Sequence, residues 1–239
     1  MNKRQGIMGL LLGSVALIAQ ATPRAVLSVA GGGVSTRVDG NQNITLIAPF
    51  QNNYATHQRK QSGEVGFFVG LEPANPAQFK LQWGVAYYNN APFHVTGAVT
   101  QFLDPAMRNL AYQYTIKSQR VMFEAKLLTT VRGTYHPYLV GSLGEAFNKA
   151  SGYTEQGFTD DSLSLMPGFG NRTTHALASS IGVGLDKELN ASFRLGCMLR
   201  MTCLGRASLE PAPWQDSATS LSTNRLMSDE FLIQLSYLG

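Results

Sequence analysis

The stretch DEFLIQLSYLG, residues 229–239, ends the chain and decides its fold. Its odd-numbered positions Phe231, Ile233 and Leu235 are apolar, whereas the even-numbered positions include Gln234 and Ser236. Because side chains of a β-strand alternate between two faces, this pattern predicts a strand whose faces meet two different surroundings. A strand of this kind at the chain terminus is typical of the strand that closes a transmembrane β-barrel.

The composition suits one large all-β domain with a partly apolar exterior. The chain has 239 residues, of which 14% are charged and 44% are hydrophobic. An ordinary soluble domain carries about 25% charged residues, so the charge is low while the hydrophobic content is ordinary. The net charge of +4 comes from scattered lysines and arginines without a basic run. We therefore expect no nucleic-acid partner.

The first residues resemble a secretory signal peptide. Lys3 and Arg4 precede the apolar segment Ile7–Ala19, and Ala19-Gln20-Ala21 matches a small-residue cleavage site. The apolar segment is shorter than the ~20 residues of a spanning helix. We expect residues 1–21 to be removed on export, leaving residues 22–239 as one domain without a helical anchor or a lipoprotein cysteine.

Segments with alternating polarity continue through the rest of the chain. They are Ala25–Ser35, Glu64–Leu71, Phe79–Phe102, Leu110–Thr130, Pro137–Asn148, Thr174–Leu189, Ala191–Gly205 and the terminal stretch. This order predicts an all-β fold, an antiparallel up-and-down transmembrane β-barrel of about eight strands.

Two irregularities are expected within these strands. Pro92 interrupts a long strand and predicts a bend or bulge; the apolar parity of Phe79, Leu81, Trp83, Val85 and Tyr87 continues beyond it at Phe93, Val95 and Val99. Tyr112, Tyr114 and Ile116 have the opposite parity to Val121, Phe123 and Leu127. This change predicts a bulge near Lys117–Gln119. The facing of Pro137–Asn148 is left open, because both of its parities contain apolar residues.

The connections alternate between short and long. Glu72–Ala77, Val131–His136 and Leu189–Asn190 are short, whereas Thr36–Ser62, Leu103–Asn109, Ser151–Thr173 and Arg206–Ser228 are mostly long and polar. Short turns at one end and long loops at the other are the outer-membrane topology. We expect the long loops to be external, dispensable for folding, and available for contact with a host, a phage or lipopolysaccharide.

The terminal strands predict which side chains face lipid. The outward set is Leu177, Ile181, Val183, Leu195, Leu199, Phe231, Ile233 and Leu235. The luminal set is Gly182, Gly184, Arg194, Arg200, Gln234 and Ser236. A shift of one residue would exchange the two sets, so the assignment fixes the register of the wall.

Charged residues on the inner parity predict an ion network in the lumen. Its members are Glu64, Glu124, Lys126, Arg194 and Arg200, with Arg120 as a further candidate. Side chains fill the interior of a barrel of about eight strands, and charges buried there must pair. We expect a plug of ion pairs and water; the alternative is a gated constriction in a small-solute porin.

The sequence indicates no enzyme, metal site or cofactor. His57, His94, His136 and His175 are dispersed over loops and strand ends, and no G-x-S-x-G motif is present. Cys197 and Cys203 lie six residues apart on one predicted strand. Their Cα atoms would then be about 20 Å apart, which is too far for a disulfide. We expect two free thiols.

A central pattern resembles the small outer-membrane β-barrel family of Gram-negative bacteria. The residues that carry it are Tyr112, Tyr114, Ile116, Ser118, Lys126, Leu127, Pro137, Tyr138, Gly141, Ser142, Leu143, Gly144, Phe147, Asn148, Gly182 and Gly184. The resemblance extends roughly from Val26 to the end of the chain. The chain departs from the family in ending Tyr237-Leu238-Gly239, where an aromatic residue is usual. It also departs at Glu145, where a small or apolar residue is usual.

The resemblance implies a protein of the outer membrane, reached after export to the periplasm. It also implies a monomer whose partners are outer-membrane lipid, lipopolysaccharide and the barrel assembly machinery. A structural, surface-exposed role is the function that this placement favours. A soluble periplasmic β-sandwich or lipocalin-like binder is the alternative from another class, and it would place Leu177, Ile181, Val183 and Leu185 inside.

Overall fold

The computed structural model describes residues 23–73, 79–158 and 167–239. Its strands are β1 (Pro23–Ile47), β2 (Phe50–Pro73), β3 (Phe79–Asn90), β4 (Phe93–Thr100), β5 (Leu110–Thr129), β6 (Tyr135–Gly157), β7 (Arg172–Glu188), β8 (Phe193–Gly205) and β9 (Leu226–Leu238). Two single-turn 3₁₀ helices, Gln101–Leu103 and Pro105–Met107, follow β4. The predicted signal peptide at residues 1–21 lies outside the described residues, as does most of the predicted turn Glu72–Ala77.

The strands form one antiparallel sheet that closes on itself. Each strand pairs with its neighbours in the order β1-β9-β8-β7-β6-β5-β3-β2, and β1 pairs with β2 to complete the ring. Strands β3 and β4 both lie between β2 and β5, so together they make one strand of the barrel wall. We call each such wall strand a stave, and the barrel has eight staves. The predicted up-and-down barrel is confirmed. The described residues contain no helix that is long and apolar enough to cross a bilayer.

A bulge separates β3 from β4 at Pro92, as predicted. The pairing with β5 shifts by one residue there, from Asn89 opposite Gln119 to Phe93 opposite Ile116. The shift changes the face of the odd-numbered residues. Residues of this parity point outward in β3, whereas Phe93, Val95 and Val99 are buried inside the barrel. The odd-numbered residues therefore face outward before the bulge and inward after it.

The bulge predicted at Lys117–Gln119 is wrong. Burial alternates without interruption along the whole of β5, and Tyr112, Tyr114 and Ile116 lie inside. The parity of apolar residues changes because the surroundings change along the strand, while the backbone stays regular. The register shift between β5 and β6 occurs instead beside Gln113, near Gly152, which has a φ of +70°.

The outer surface of the barrel carries a band of exposed apolar side chains. Leu177 and Ile181 on β7 are 72% and 69% exposed, and the other outward residues predicted on β7, β8 and β9 are exposed as well. In β6, Leu139 and Leu143 face out and Tyr138 and Val140 face in, which resolves the open assignment. A soluble binder would bury this apolar set, so that alternative is wrong.

Three of the predicted long loops are largely structured. Residues 36–62 form a paired hairpin, because β1 and β2 continue to Ile47 and Phe50. Residues 151–157 belong to β6. The segment 206–225 folds back over the mouth of the barrel and buries Leu209 and Leu221. These segments read as loops because their outward side chains are polar, which is what a strand surrounded by water requires.

The strands therefore continue well beyond the apolar band at one end. This outer extension comprises residues 36–62, 93–119, 146–158, 167–176 and 203–228. Pro23 at the start of β1 and Leu238 at the end of β9 lie at the opposite end, where the turns between staves are short. Short turns face the periplasm in bacterial outer-membrane barrels, so we call the short-turn end the periplasmic end and expect the outer extension on the external side.

Candidate functional site: the closed lumen

Two arginines and three glutamates meet inside the barrel. Arg200 on β8 contacts Glu230 through Nε at 2.6 Å, Glu64 through Nη2 at 2.9 Å and Glu124 through Nη1 at 3.3 Å. Arg120 on β5 contacts Glu64 and Glu230 through Nη2, both at 2.9 Å. All five side chains are almost fully removed from solvent. Strands from opposite sides of the ring are thereby tied together across the lumen.

An aromatic ring completes this arrangement. Tyr88 on β3 lies beneath both guanidinium groups, with 3.9 Å from its ring centre to Arg200 Cζ and 4.6 Å to Arg120 Cζ. Its hydroxyl donates a hydrogen bond to Glu124 at 2.8 Å. Arg120 also donates to Asn90 Oδ1 at 3.3 Å. We refer to Glu64, Tyr88, Arg120, Glu124, Arg200 and Glu230 as the central cluster.

Lys126 connects the central cluster to the seam that closes the barrel. Its Nζ lies 3.7 Å from Glu124 and donates a hydrogen bond to Gln234 at 2.8 Å. Gln234 donates to Ser236 at 2.7 Å, and Ser28 on β1 donates to Ser236 at 2.8 Å. Polar side chains therefore join β5 through β9 to β1.

Aromatic rings surround the Lys126 ammonium group. Phe68 and Tyr138 flank it at 5.4 and 5.2 Å from their ring centres. The Tyr138 ring fits because residue 184 is glycine, since a Cβ at Gly184 would overlap this ring.

Arg194 belongs to a second ionic group near the periplasmic end. It donates to Glu72 through Nη1 at 2.6 Å and through Nη2 at 3.0 Å, in the fork geometry typical of arginine and carboxylate. It also lies 3.4 Å from Glu188, which contacts His136 Nε2 at 2.7 Å. The five residues predicted from sequence therefore divide between two levels of the lumen. The structure brings Arg120 into the upper one.

Glu230 and Glu72 are absent from the ion network predicted from sequence, although the sequence contains the signal for both. Glu230 has the same parity as Gln234 and Ser236, which the terminal strand places in the lumen. Glu72 has the same parity as Glu64, but its neighbour Pro73 made it look like part of a turn. In both cases the strand extends further than its apolar residues indicate.

The lumen above the central cluster is filled by an apolar core. The ring centres of Tyr54 and Tyr112 are 5.8 Å apart, and Phe169 lies 5.8 Å from Tyr54. Burial raises the pKa of the Tyr54 hydroxyl, which therefore stays neutral. Leu209 and Leu221 of the returning segment 206–225 join this core. The outer mouth is thus closed by the chain itself.

The histidines lie apart from one another, and so do the two cysteines. His57 contacts Asp39 at 2.5 Å, His94 contacts Thr115 at 3.0 Å and His175 contacts Glu145 at 2.8 Å. Within residues 23–73, 79–158 and 167–239, no three His, Cys, Asp or Glu side chains form a metal-binding group. Cys197 and Cys203 are both free, as their spacing predicts.

Comparison with known proteins gives structural matches only. No family model and no curated protein matches this chain. Neisserial surface protein A matches with 8% identity and a TM-score of 0.44, over 90% of this chain and 96% of that one. The outer membrane protease OmpT from Escherichia coli matches with 8% identity and a TM-score of 0.45, over 93% and 100%. OprG from Pseudomonas aeruginosa matches with 17% identity and a TM-score of 0.39, over 92% and 98%.

The chain's own geometry decides its architecture. Eight staves close without a free edge across the apolar band, and that band is made of residues such as Leu199, Phe231 and Ile233. The charges of the central cluster lie inside, in pairs. Closed barrels of this kind satisfy every wall backbone group in lipid, whereas an apolar exterior is unfavourable in water. The protein has the fold of the small outer-membrane β-barrels.

Proposed function

We propose that the protein is a non-conducting outer-membrane barrel with a structural role, which presents its outer extension as a surface for contact. The observation that carries this proposal is the central cluster, which joins five staves across the lumen. Each arginine in it contacts at least two carboxylates at 2.6–3.3 Å. Solutes have no open path through such a network.

Opening the lumen would require the buried pairs to separate. Breaking a buried ion pair costs roughly 3–5 kcal/mol, because an uncompensated charge remains in a low-dielectric site. The apolar core above the cluster would have to be displaced as well. Two independent barriers in series favour a closed barrel over a gated porin.

The outer extension offers an exposed apolar tip for contact. Ile47, Phe50 and Phe102 are each about half exposed, and the rings of Phe50 and Phe102 meet edge to face at 5.4 Å. Exposed apolar groups on a rigid hairpin are typical of contact surfaces. We expect lipopolysaccharide, a host surface or a phage as the partner, a monomeric protein, and insertion by the barrel assembly machinery.

Planar-bilayer recording of the refolded protein tests this proposal. We expect no stable conductance steps, with folding established in the same sample by heat-modifiable gel migration. Steps of porin size would overturn the closed-lumen proposal and move the function to diffusion of small solutes. A swelling assay with sugar-loaded liposomes gives an independent measurement of the same property.

A further inference from the structure

The barrel wall opens between β7 and β8 on the external side. β8 pairs with β7 only up to the pair Cys203 and Ser179, although β7 begins seven residues earlier at Arg172. Gly205, with a φ of +73°, turns the chain away from the wall. A single bridge between Gly170 and Glu210 closes the gap above. Between these two points, the edge of β7 that faces β8 pairs with no strand among the described residues.

This gap forms a groove on the outer surface, which we call the β7–β8 groove. Its volume is about 760 Å³. It is lined by His175, Leu177, Cys203, Arg206, Arg225 and Met227, among others. Asn148 on β6 lies behind it, where its Nδ2 donates to the carbonyls of Leu204 at 2.7 Å and Arg206 at 2.9 Å. Asn148 is fully buried and holds residues 204–206 against the inner face of β6.

Two cations at the groove have no acidic partner. Arg206 and Arg225 are exposed and make no ion pair within the part of the chain that the structure describes. Two carboxylates near the groove are already engaged. Glu145 contacts His175 at 2.8 Å, and Asp229 contacts Arg59 at 3.4 Å. The groove therefore presents positive charge that is free to bind an anion.

An apolar depression lies directly below the groove on the lipid-facing wall. Its volume is about 370 Å³, and its lining includes Leu139, Ile181, Val183, Leu199 and Met201. Leu177 in the groove and Ile181 in the depression face the same side of β7, four residues apart. The surface thus changes from cationic to apolar along one line, at the upper edge of the exposed apolar band.

We propose that the β7–β8 groove binds a phosphorylated, acylated lipid of the outer leaflet, the lipid A part of lipopolysaccharide. Arg206 and Arg225 bind its phosphate, for which the guanidinium fork is well suited. An acyl chain then runs over Leu177 into the apolar depression. This inference rests on the proposed orientation in the outer membrane, and it deepens that proposal by naming one partner and its site.

Cys203 supplies a probe inside the groove. In a Cys197→Ser background, the rate of maleimide labelling of Cys203 reports whether the groove is occupied. We expect bis-phosphorylated lipid A in phosphatidylcholine bilayers to slow this labelling by about tenfold, the effect of binding that is ~1.4 kcal/mol favourable at the concentration used. Lipid A without its phosphates should give little protection. Inorganic phosphate alone should give none.

Variants distinguish binding at the groove from attraction by the general surface charge. Arg206→Gln combined with Arg225→Gln should abolish the protection by lipid A, and Arg225→Gln alone should weaken it. Lys117→Gln is the matched control, because Lys117 is an exposed cation of the outer extension on β5, away from the groove. In the Lys117→Gln variant, lipid A should protect Cys203 from maleimide as well as it does in the parent protein.

Three results would overturn the proposal: equal protection by lipid A with and without phosphates, protection by inorganic phosphate alone, or full protection in the double variant. Heat-modifiable migration of each variant establishes that it is folded. Conductance measured in the same bilayers tests the closed lumen separately, so a failure at the groove is distinguishable from a failure of the proposed function.

Discussion

Arg200 is the residue on which most of the central cluster depends. It contacts three carboxylates and lies on the ring of Tyr88. A buried ion pair is weak evidence for net stability, because desolvation offsets much of the Coulomb attraction. Removal of one charged partner costs much more free energy, since the remaining charges stay buried without an opposite charge to compensate them. The cluster is therefore sensitive to single substitutions.

Replacing Arg200 with methionine should destabilise the refolded barrel by about 3–5 kcal/mol, because Glu64, Glu124 and Glu230 would lose their shared partner. Urea unfolding in lipid vesicles measures this change. Arg37→Met is the matched control at an exposed position of β1, and it should stay within about 0.5 kcal/mol of the parent. A similarly small change for Arg200→Met would show that the cluster contributes little to stability.

At the scale of the strand, alternation predicts structure well wherever lipid and lumen are the two surroundings. The faces of β7, β8 and β9 follow directly from residues such as Ile181, Leu199 and Ile233. The outer ends of the strands behave differently. There water lies outside and an apolar core lies inside, so Tyr112 and Ile116 point inward. In the outer extension, the apolar residues of an alternating strand therefore point inward, whereas in the apolar band they point outward.

This reversal explains why the outer extension was not predicted from sequence. Residues 36–62 are polar on their outward face, as a loop would be, yet Val38 and Ile44 are buried on the inner face of a hairpin. The fate of residues 206–225 depends on contacts with distant strands. Asp216, for example, donates its backbone N–H to the carbonyl of Leu46. No local pattern encodes such a contact.

The last connection should therefore be needed for stability, in contrast to the expectation from sequence. Leu209→Ala should cost about 2–5 kcal/mol, because Leu209 is fully buried in the apolar core above the cluster. Trp214→Ala in the same segment is the control and should cost much less, since Trp214 is exposed. Comparing the urea midpoints of the two variants measures this. Equal effects would mean that the segment does not act as a cap.

For the whole molecule, the position in the bilayer follows from the exposed apolar band. Leu199→Arg places a charge within this band and should destabilise the refolded barrel by roughly 2–4 kcal/mol. Ala25→Arg, at the periplasmic edge, should cost only about 0–1 kcal/mol because the arginine reaches the interface. Unfolding in vesicles of matched thickness distinguishes the two. An equal cost at both positions would contradict the assigned depth.

The pairing of β1 with β9 determines when this molecule can become a barrel. The hydroxyls of Ser28 and Ser236 meet across that seam, although 208 positions separate them in the chain. Every shorter length of polypeptide leaves two strand edges with unpaired amide groups, which can pair with other chains. Strand β9 must therefore be synthesised before any copy can close its ring. A polypeptide that stops before β9 would form an open sheet with two adhesive edges instead of a smaller barrel.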